Sequence, residues 1–265
     1  MSGKKVCIVT GGSSGIGKCT AAALAAKGHR VYEFSRRNDP PAGVTHVTAD
    51  VTDEDAVNAA VKQVADAEGK IDVLIGCAGY GISGAIEFTP LSEAKRQFDV
   101  NFFGMFSVVK AVLPHMRKQK QGRIVCISSV AAPIPIPFQG FYSACKAAVN
   151  SFAMALANEV RPYGITVTAI QPGDIASGFT DARVKTVDGD EEYGGRISRG
   201  VGVMEKDERG GMKPEQAGAF IAAAALRKNV KPLYAIGPSY KLACTAMKLL
   251  PCRVSNRMLG RIYAK

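Results

Sequence analysis

The chain has no tryptophan and only three histidines in 265 residues, and none of its seven cysteines (7, 19, 77, 126, 145, 244 and 252) falls in a CxxC pair. These shortages argue against a zinc site and against a secreted disulfide framework; reduced thiols in a cytoplasmic protein fit better. No repeat or low-complexity tract occurs. The N-terminal apolar run, "VCIVT", meets glycines at once. It is too short for a signal peptide or a membrane span and reads as a buried first strand. Acidic side chains are missing from residues 216–265, which hold nine Lys or Arg and so most of the net charge of +11. Charge of this kind attracts nucleic acid, anionic lipid or an anionic ligand, but no reading-helix or finger motif accompanies it, so nucleic acid is not expected as a partner.

What the chain does have is an apolar content of 47%, enough for one sizeable core. Val- and Ile-rich runs alternate with helical patterns. "KVCIVT", "RVYEFS", "GVTHVTADV", "IDVLIGCAG", "GRIVCISS", "ITVTAIQPG" and "PLYAIG" read as strands. Between the first two lies "GKCTAAALAAKGH", Ala-rich, with Gly28 placed to end a helix. After the third comes "TDEDAVNAAVKQVADAEG", where Thr52 is the expected cap and Asp53, Glu54 and Asp55 suit the helix N-terminus. Strands this apolar, alternating with helices, imply an α/β fold: a Rossmann-type doubly wound parallel sheet of about seven strands in a single domain. Residues 178–213 break the rhythm with eight glycines and mixed charge, and are expected to form a substrate loop over a strand's carboxyl end.

Chemistry concentrates at three places. "TGGSSGIG", Thr10 to Gly17, follows a strand and opens a helix. Its backbone can approach a pyrophosphate held at the helix N-terminus, which makes Gly11, Ser13, Ser14, Gly15, Ile16 and Gly17 candidate cofactor contacts. At the end of the second strand an NAD site usually carries a carboxylate for the ribose 2′-hydroxyl. Here Ser35, Arg36 and Arg37 stand instead, groups suited to a 2′-phosphate and hence to NADP(H); two solvated arginines in a turn are the plainer alternative. Glu33, two residues earlier, is expected on the other face of its strand. Third, Ser129 ends the fifth strand, on the side where such sheets bind ligands. Tyr142 and Lys146 follow at i and i+4 on one helix face, where an ammonium favours an ionised phenol.

Together these residues resemble the short-chain dehydrogenase/reductase family from residue 4 to about residue 180. The TGxxxGxG turn (Thr10, Gly11, Gly15, Gly17), the Asp50-Val51 pair, Asn101, Ser129, the YxxxK pair Tyr142 and Lys146, and Pro172-Gly173 stand in family order and spacing. The resemblance implies roles. Tyr142 is the general acid or base, Ser129 orients the substrate oxygen, Lys146 lowers the Tyr142 pKa and binds the nicotinamide ribose, and Asn101 holds a relay water. Asp50 and Val51 contact the adenine. The family's "NNAG" is "GCAG" here, so Cys77 replaces an amide beside the close-approach residues Ala78 and Gly79. Ser177 stands near the position of a Thr that contacts the carboxamide. No metal is implied.

The expected activity is NADP(H)-dependent interconversion of a ketone or aldehyde with an alcohol, on a hydrophobic substrate of steroid, retinoid or acyl-lipid type. The other class is a cofactor-binding regulator or membrane-peripheral scaffold without turnover. Ile134, Ile136, Phe138 and Phe141 either rim the substrate crevice or pack under the 178–213 segment. The basic amphipathic tail, 240–265, divided by Pro251, either rests on anionic lipid or covers the cleft or a subunit interface. The family resemblance implies a homo-oligomer, a dimer or tetramer built through the long helices near 92–117 and 141–162. The protein is expected in the cytoplasm, with peripheral membrane contact through the tail as an open possibility.

Overall fold

The computed structural model describes residues 3–264. Seven parallel strands form one sheet: β1 (Val6–Thr10), β2 (Arg30–Ser35), β3 (Val44–Thr48), β4 (Val73–Gly76), β6 (Gly122–Ile127), β7 (Ile165–Gln171) and β9 (Leu233–Ala235). Their spatial order is β3-β2-β1-β4-β6-β7-β9. All seven lie within the runs read from the sequence. β1 and β4 are buried along their whole length, which explains their continuous apolar character: helices cover both faces.

α1 (Gly15–Ala25) and α8 (Pro214–Leu226) cover one face, with Leu24, Ile75, Ile170 and Ile221 in the core between. α2 (Glu54–Glu68), α4 (Gly104–Gln119) and α5 (Gly140–Val160) cover the other, around Phe34, Val61, Val109, Ile124 and Val149. α2 buries Val57, Ala60, Val61 and Val64, one stripe at i, i+3, i+4 and i+7. Its cap differs from the expected Thr52. The Asp53 carboxylate accepts from the Ala56 N–H at 3.0 Å, while the Thr52 hydroxyl donates to Asp50 at 2.8 Å.

α3 (Leu91–Phe98) runs into a π-helical turn, Asp99–Phe103, before α4 begins. Two short strands escape the sequence pattern, β5 (Ile82–Ser83) and β8 (Val184–Lys185), which pair in parallel. Within 178–213 the backbone forms α6 (Phe179–Ala182), β8 and α7 (Arg196–Arg209). α7 buries Ile197, Gly200, Val201 and Met204. The tail forms α9 (Pro238–Leu249) and α10 (Cys252–Tyr263), separated at Pro251 as the sequence suggests. Among the described residues no helix is long and apolar enough to cross a membrane.

Candidate active site

Strand order reverses between β1 and β4, and ligands of open parallel sheets bind in the crevice beyond that point. A cavity of about 410 Å³ lies there, lined by Gly11, Ser14, Gly15, Ile16 and Gly17 on one side and by Ser129, Tyr142 and Lys146 on the other. Arg37, Cys77, Ala78, Gly79, Pro172, Gly173 and Ser177 also line it.

The glycines of the first turn are there for room. Gly11 sits at φ 67°, and a Cβ on it would lie 2.8 Å from the Ala78 Cα; one on Gly17 would run into the Gly11 carbonyl oxygen. α1 starts with no side-chain cap at Ser14. Its first N–H groups are therefore open to an anion, and the turn fits a dinucleotide pyrophosphate. Thr10 closes the floor: its hydroxyl oxygen accepts from the Cys77 and Ala78 N–H groups at 3.1 and 3.2 Å. Burial pushes the Cys77 thiol up to about 12, so it stays protonated and inert.

At the end of β2 the expectation for Glu33 fails, because residues two apart on a strand share a face. Glu33 is fully buried on the same side as Ser35. Its carboxylate takes the His46 imidazole and packs beneath Gly12. The Ser35 hydroxyl donates to the Arg37 carbonyl at 2.8 Å. What this rim exposes is cationic: Arg37 on the cavity, and Arg36 3.9 Å from Asp50. Burial acts to raise the Asp50 pKa, but hydrogen bonds from Thr52 outweigh it and hold the carboxyl below its usual range. Ser13, Ser35, Arg36, Asp50, Val51 and Asn101 stand off the cavity lining; Val51 packs on Gly104.

Ser129 follows β6, and its oxygen accepts from the Ala131 N–H at 3.1 Å, which leaves the hydroxyl proton free to point elsewhere. The Lys146 ammonium donates to the Ile127 carbonyl at 2.9 Å and lies 5.7 Å from the Tyr142 ring centre. Burial pushes Tyr142 up to about 12; the Ser129 hydroxyl pulls it down, Glu208 raises it and Arg183 lowers it. Burial also lowers the pKa of Lys146. Asn101, inside the π-turn, spends its side chain on backbone: it accepts from the Tyr80 N–H at 3.0 Å and donates to the Tyr80 carbonyl at 2.8 Å. Gln97, one turn earlier, donates to the same carbonyl at 2.7 Å and accepts from the Ile82 N–H.

Several residues of the cavity went unread in the sequence. Asp174, just past the Pro-Gly, and Glu208, on α7, both line it. Burial raises the Asp174 pKa, and the Tyr240 phenol donates to its carboxylate. Glu208 pairs with the buried Arg183 and accepts from the Thr180 hydroxyl at 2.7 Å. The Arg183 guanidinium lies over the Phe179 ring, whose centre is 5.8 Å from that of Tyr142. The apolar residues of the 131–141 stretch divide: Ile136 lines the cavity, while Phe138 packs with Tyr193, Ile197, Val201 and Met204 under α7. No local pattern marks these residues, because their partners lie tens of positions away.

The arrangement can therefore hold a nucleotide on one side and place a phenol, a hydroxyl and an ammonium around a small oxygen on the other. Known proteins agree with it. The sequence profile described as short chain dehydrogenase matches residues 5–188. A 3-ketodihydrosphingosine reductase of Bacteroides thetaiotaomicron is 43% identical over 98% of each chain. Dehydrogenase/reductase SDR family member 7B of Xenopus laevis is 34% identical, covering 97% of this chain and 81% of that one. A short-chain dehydrogenase from Streptomyces avermitilis superposes with a TM-score of 0.83 at 29% identity, over 93% of this chain and 92% of that one. From sequence, fold and site alike, the chain belongs to the short-chain dehydrogenase/reductase family of nicotinamide-dependent oxidoreductases.

Proposed function

We propose that the protein is an NADPH-dependent reductase of a long-chain keto-lipid, a cytoplasmic enzyme working at a membrane face. The observation that carries this reading is the convergence of Ser129, Tyr142 and Lys146 on a cavity whose far wall is the uncapped start of α1. NADPH would lie along Gly11 to Gly17, Ala78, Gly79 and Pro172 to Ser177, with Arg37 and Arg36 toward its 2′-phosphate, and would supply the hydride that reaches the carbonyl carbon. Tyr142 then gives its phenolic proton to the carbonyl oxygen, which completes the alcohol. Ser129 donates a hydrogen bond to that oxygen and offsets the charge that builds on it. Lys146 keeps N–H donors beyond the one given to Ile127 and would hold the nicotinamide ribose. Asn101 acts through the backbone it ties.

NADPH is favoured over NADH because the carboxylate of β2 itself, Glu33, is buried and committed to His46, while Ser35, Arg36 and Arg37 follow it. The substrate class draws on the cavity and on the Bacteroides thetaiotaomicron relative. Ile136, Phe179 and Ala182 offer an apolar wall. A 3-ketodihydrosphingosine is a long-chain ketone with an amine on the adjacent carbon; Asp174, on the cavity lining, would give such an ammonium a counter-charge. The test compares a long-chain 2-amino ketone with the same ketone lacking the amine. Asp174→Asn should raise KM for the amino ketone by roughly tenfold and leave the desamino ketone nearly unchanged. Equal effects on both would remove the amine from the proposal. Phe103, Phe106 and Met154 are exposed on α4, the turn before it and α5; we assign that apolar face to a homodimer contact.

A further inference from the structure

α9 and α10 turn Cys244, Ser255 and Leu259 inward. Both helices also expose apolar side chains: Leu242 and Leu249 on α9 are 72% and 80% exposed, and on α10 Val254, Met258 and Ile262, each about half exposed, recur every fourth residue along the flank between its buried side and its arginines. Lys241, Lys248, Arg253, Arg257 and Arg261 are exposed along the same two helices. Among the described residues none of these five cations forms an ion pair. No acid stands anywhere in residues 216–265.

Charge decides the occupant. A second copy of this face would bring like charge against like charge. Nucleic acid would answer the cations but leave the aliphatic stripe in water. An anionic lipid surface answers both, since acyl chains take the apolar side chains and phosphates take the cations.

The two helices also abut the cavity wall. Tyr240 on α9 holds Asp174, and the Arg196 guanidinium of α7 donates to the Ala264 carbonyl at 2.6 and 2.9 Å. Gly200 on α7 leaves no room for a Cβ because the Tyr263 carbonyl sits there. Tyr263 packs with Phe138 and Met204.

We propose that the exposed apolar and basic side chains of α9 and α10 dock the protein on an anionic lipid surface, with Leu242, Leu249, Val254, Met258 and Ile262 entering the interface. This extends the proposed working place at a membrane face. Vesicle binding is read without turnover, so docking can fail while the reductase reading stands, and the reverse.

The experiment is co-sedimentation of the full chain with phosphatidylcholine vesicles and with vesicles that carry roughly a third phosphatidylglycerol. Binding to the anionic vesicles should exceed binding to the neutral ones by about tenfold or more and fall as salt rises. The pair Met258→Glu with Ile262→Glu should abolish it, and the pair Arg257→Gln with Arg261→Gln should weaken it while NADPH binding persists. If the first pair fails to fold, as loss of NADPH binding would reveal, the arginine pair carries the test. Equal binding to both vesicle types, no binding, or binding untouched by the arginine pair overturns the proposal. So does self-association that depends on Met258 and Ile262 without vesicle binding, which would make a second copy the occupant.

Discussion

Tyr142 is the residue on which most depends, and its burial sets the protonation state from which it starts. A phenol pushed up to about 12 is protonated at every lower pH, so the acid form needed to reduce a carbonyl is loaded under ordinary conditions. The rate of ketone reduction should therefore stay level from about pH 6 to about pH 9, while alcohol oxidation, which needs the phenolate, climbs with pH. A reduction rate that falls with a midpoint near neutrality would show that bound NADPH and substrate lower the phenol far more than the protein alone does. Arg37 makes a second residue-level case. Arg37→Ala should weaken NADPH binding about tenfold and leave NADH binding nearly unchanged, as titration by nicotinamide fluorescence would record. Equal loss for both cofactors would place Arg37 away from the 2′-phosphate. Tyr142, Lys146 and Ser129 were legible because two of them share a helix face and the third ends a strand. The height of the phenol's pKa was not. It depends on burial and on Glu208 and Arg183, which reach Tyr142 through the fold and not through the local sequence.

At the scale of elements, the central strands β1 and β4 were readable because both faces of the sheet are covered there, so they are apolar almost throughout, while the edge strand β3 mixes buried and exposed residues. β5 and β8 have two residues each and offer no period to read. α7 hid for a different reason. Ile197, Val201 and Met204 keep helical spacing, but glycines 195, 200 and 202 mask it; the helix is held by packing against Phe138 and Tyr263 more than by propensity. The π-turn at Asp99–Phe103 was invisible too, and it sets Asn101 against the Tyr80 backbone. The turn into α1 is where element geometry can be tested. Gly17→Ala puts a methyl against the Gly11 carbonyl oxygen. It should cost about 1–3 kcal/mol of stability by thermal melting and remove most NADPH binding. A variant as stable as the parent, with cofactor affinity intact, would mean that the turn can relax around the methyl.

Across the whole molecule, the seven-stranded sheet, its switch point and the cavity beyond it bring together residues from Gly11 to Glu208. The cofactor side of that cavity was written in local motifs. The substrate side was not, because it is assembled from α6, α7 and α9, whose contacts join Arg183 to Glu208 and Asp174 to Tyr240. That asymmetry is why the family is plain and the ketone is a proposal. The measurement that bears most directly on the account follows loss of reduced-nicotinamide absorbance from NADPH, with long-chain keto-lipids beside small diketones and steroids, for the parent chain and Tyr142→Phe. The account predicts turnover of a long-chain ketone by the parent, and a fall of roughly a hundred- to ten-thousand-fold in the variant with NADPH still bound. Turnover that survives Tyr142→Phe, or NADPH that binds while no ketone is reduced, would contradict it.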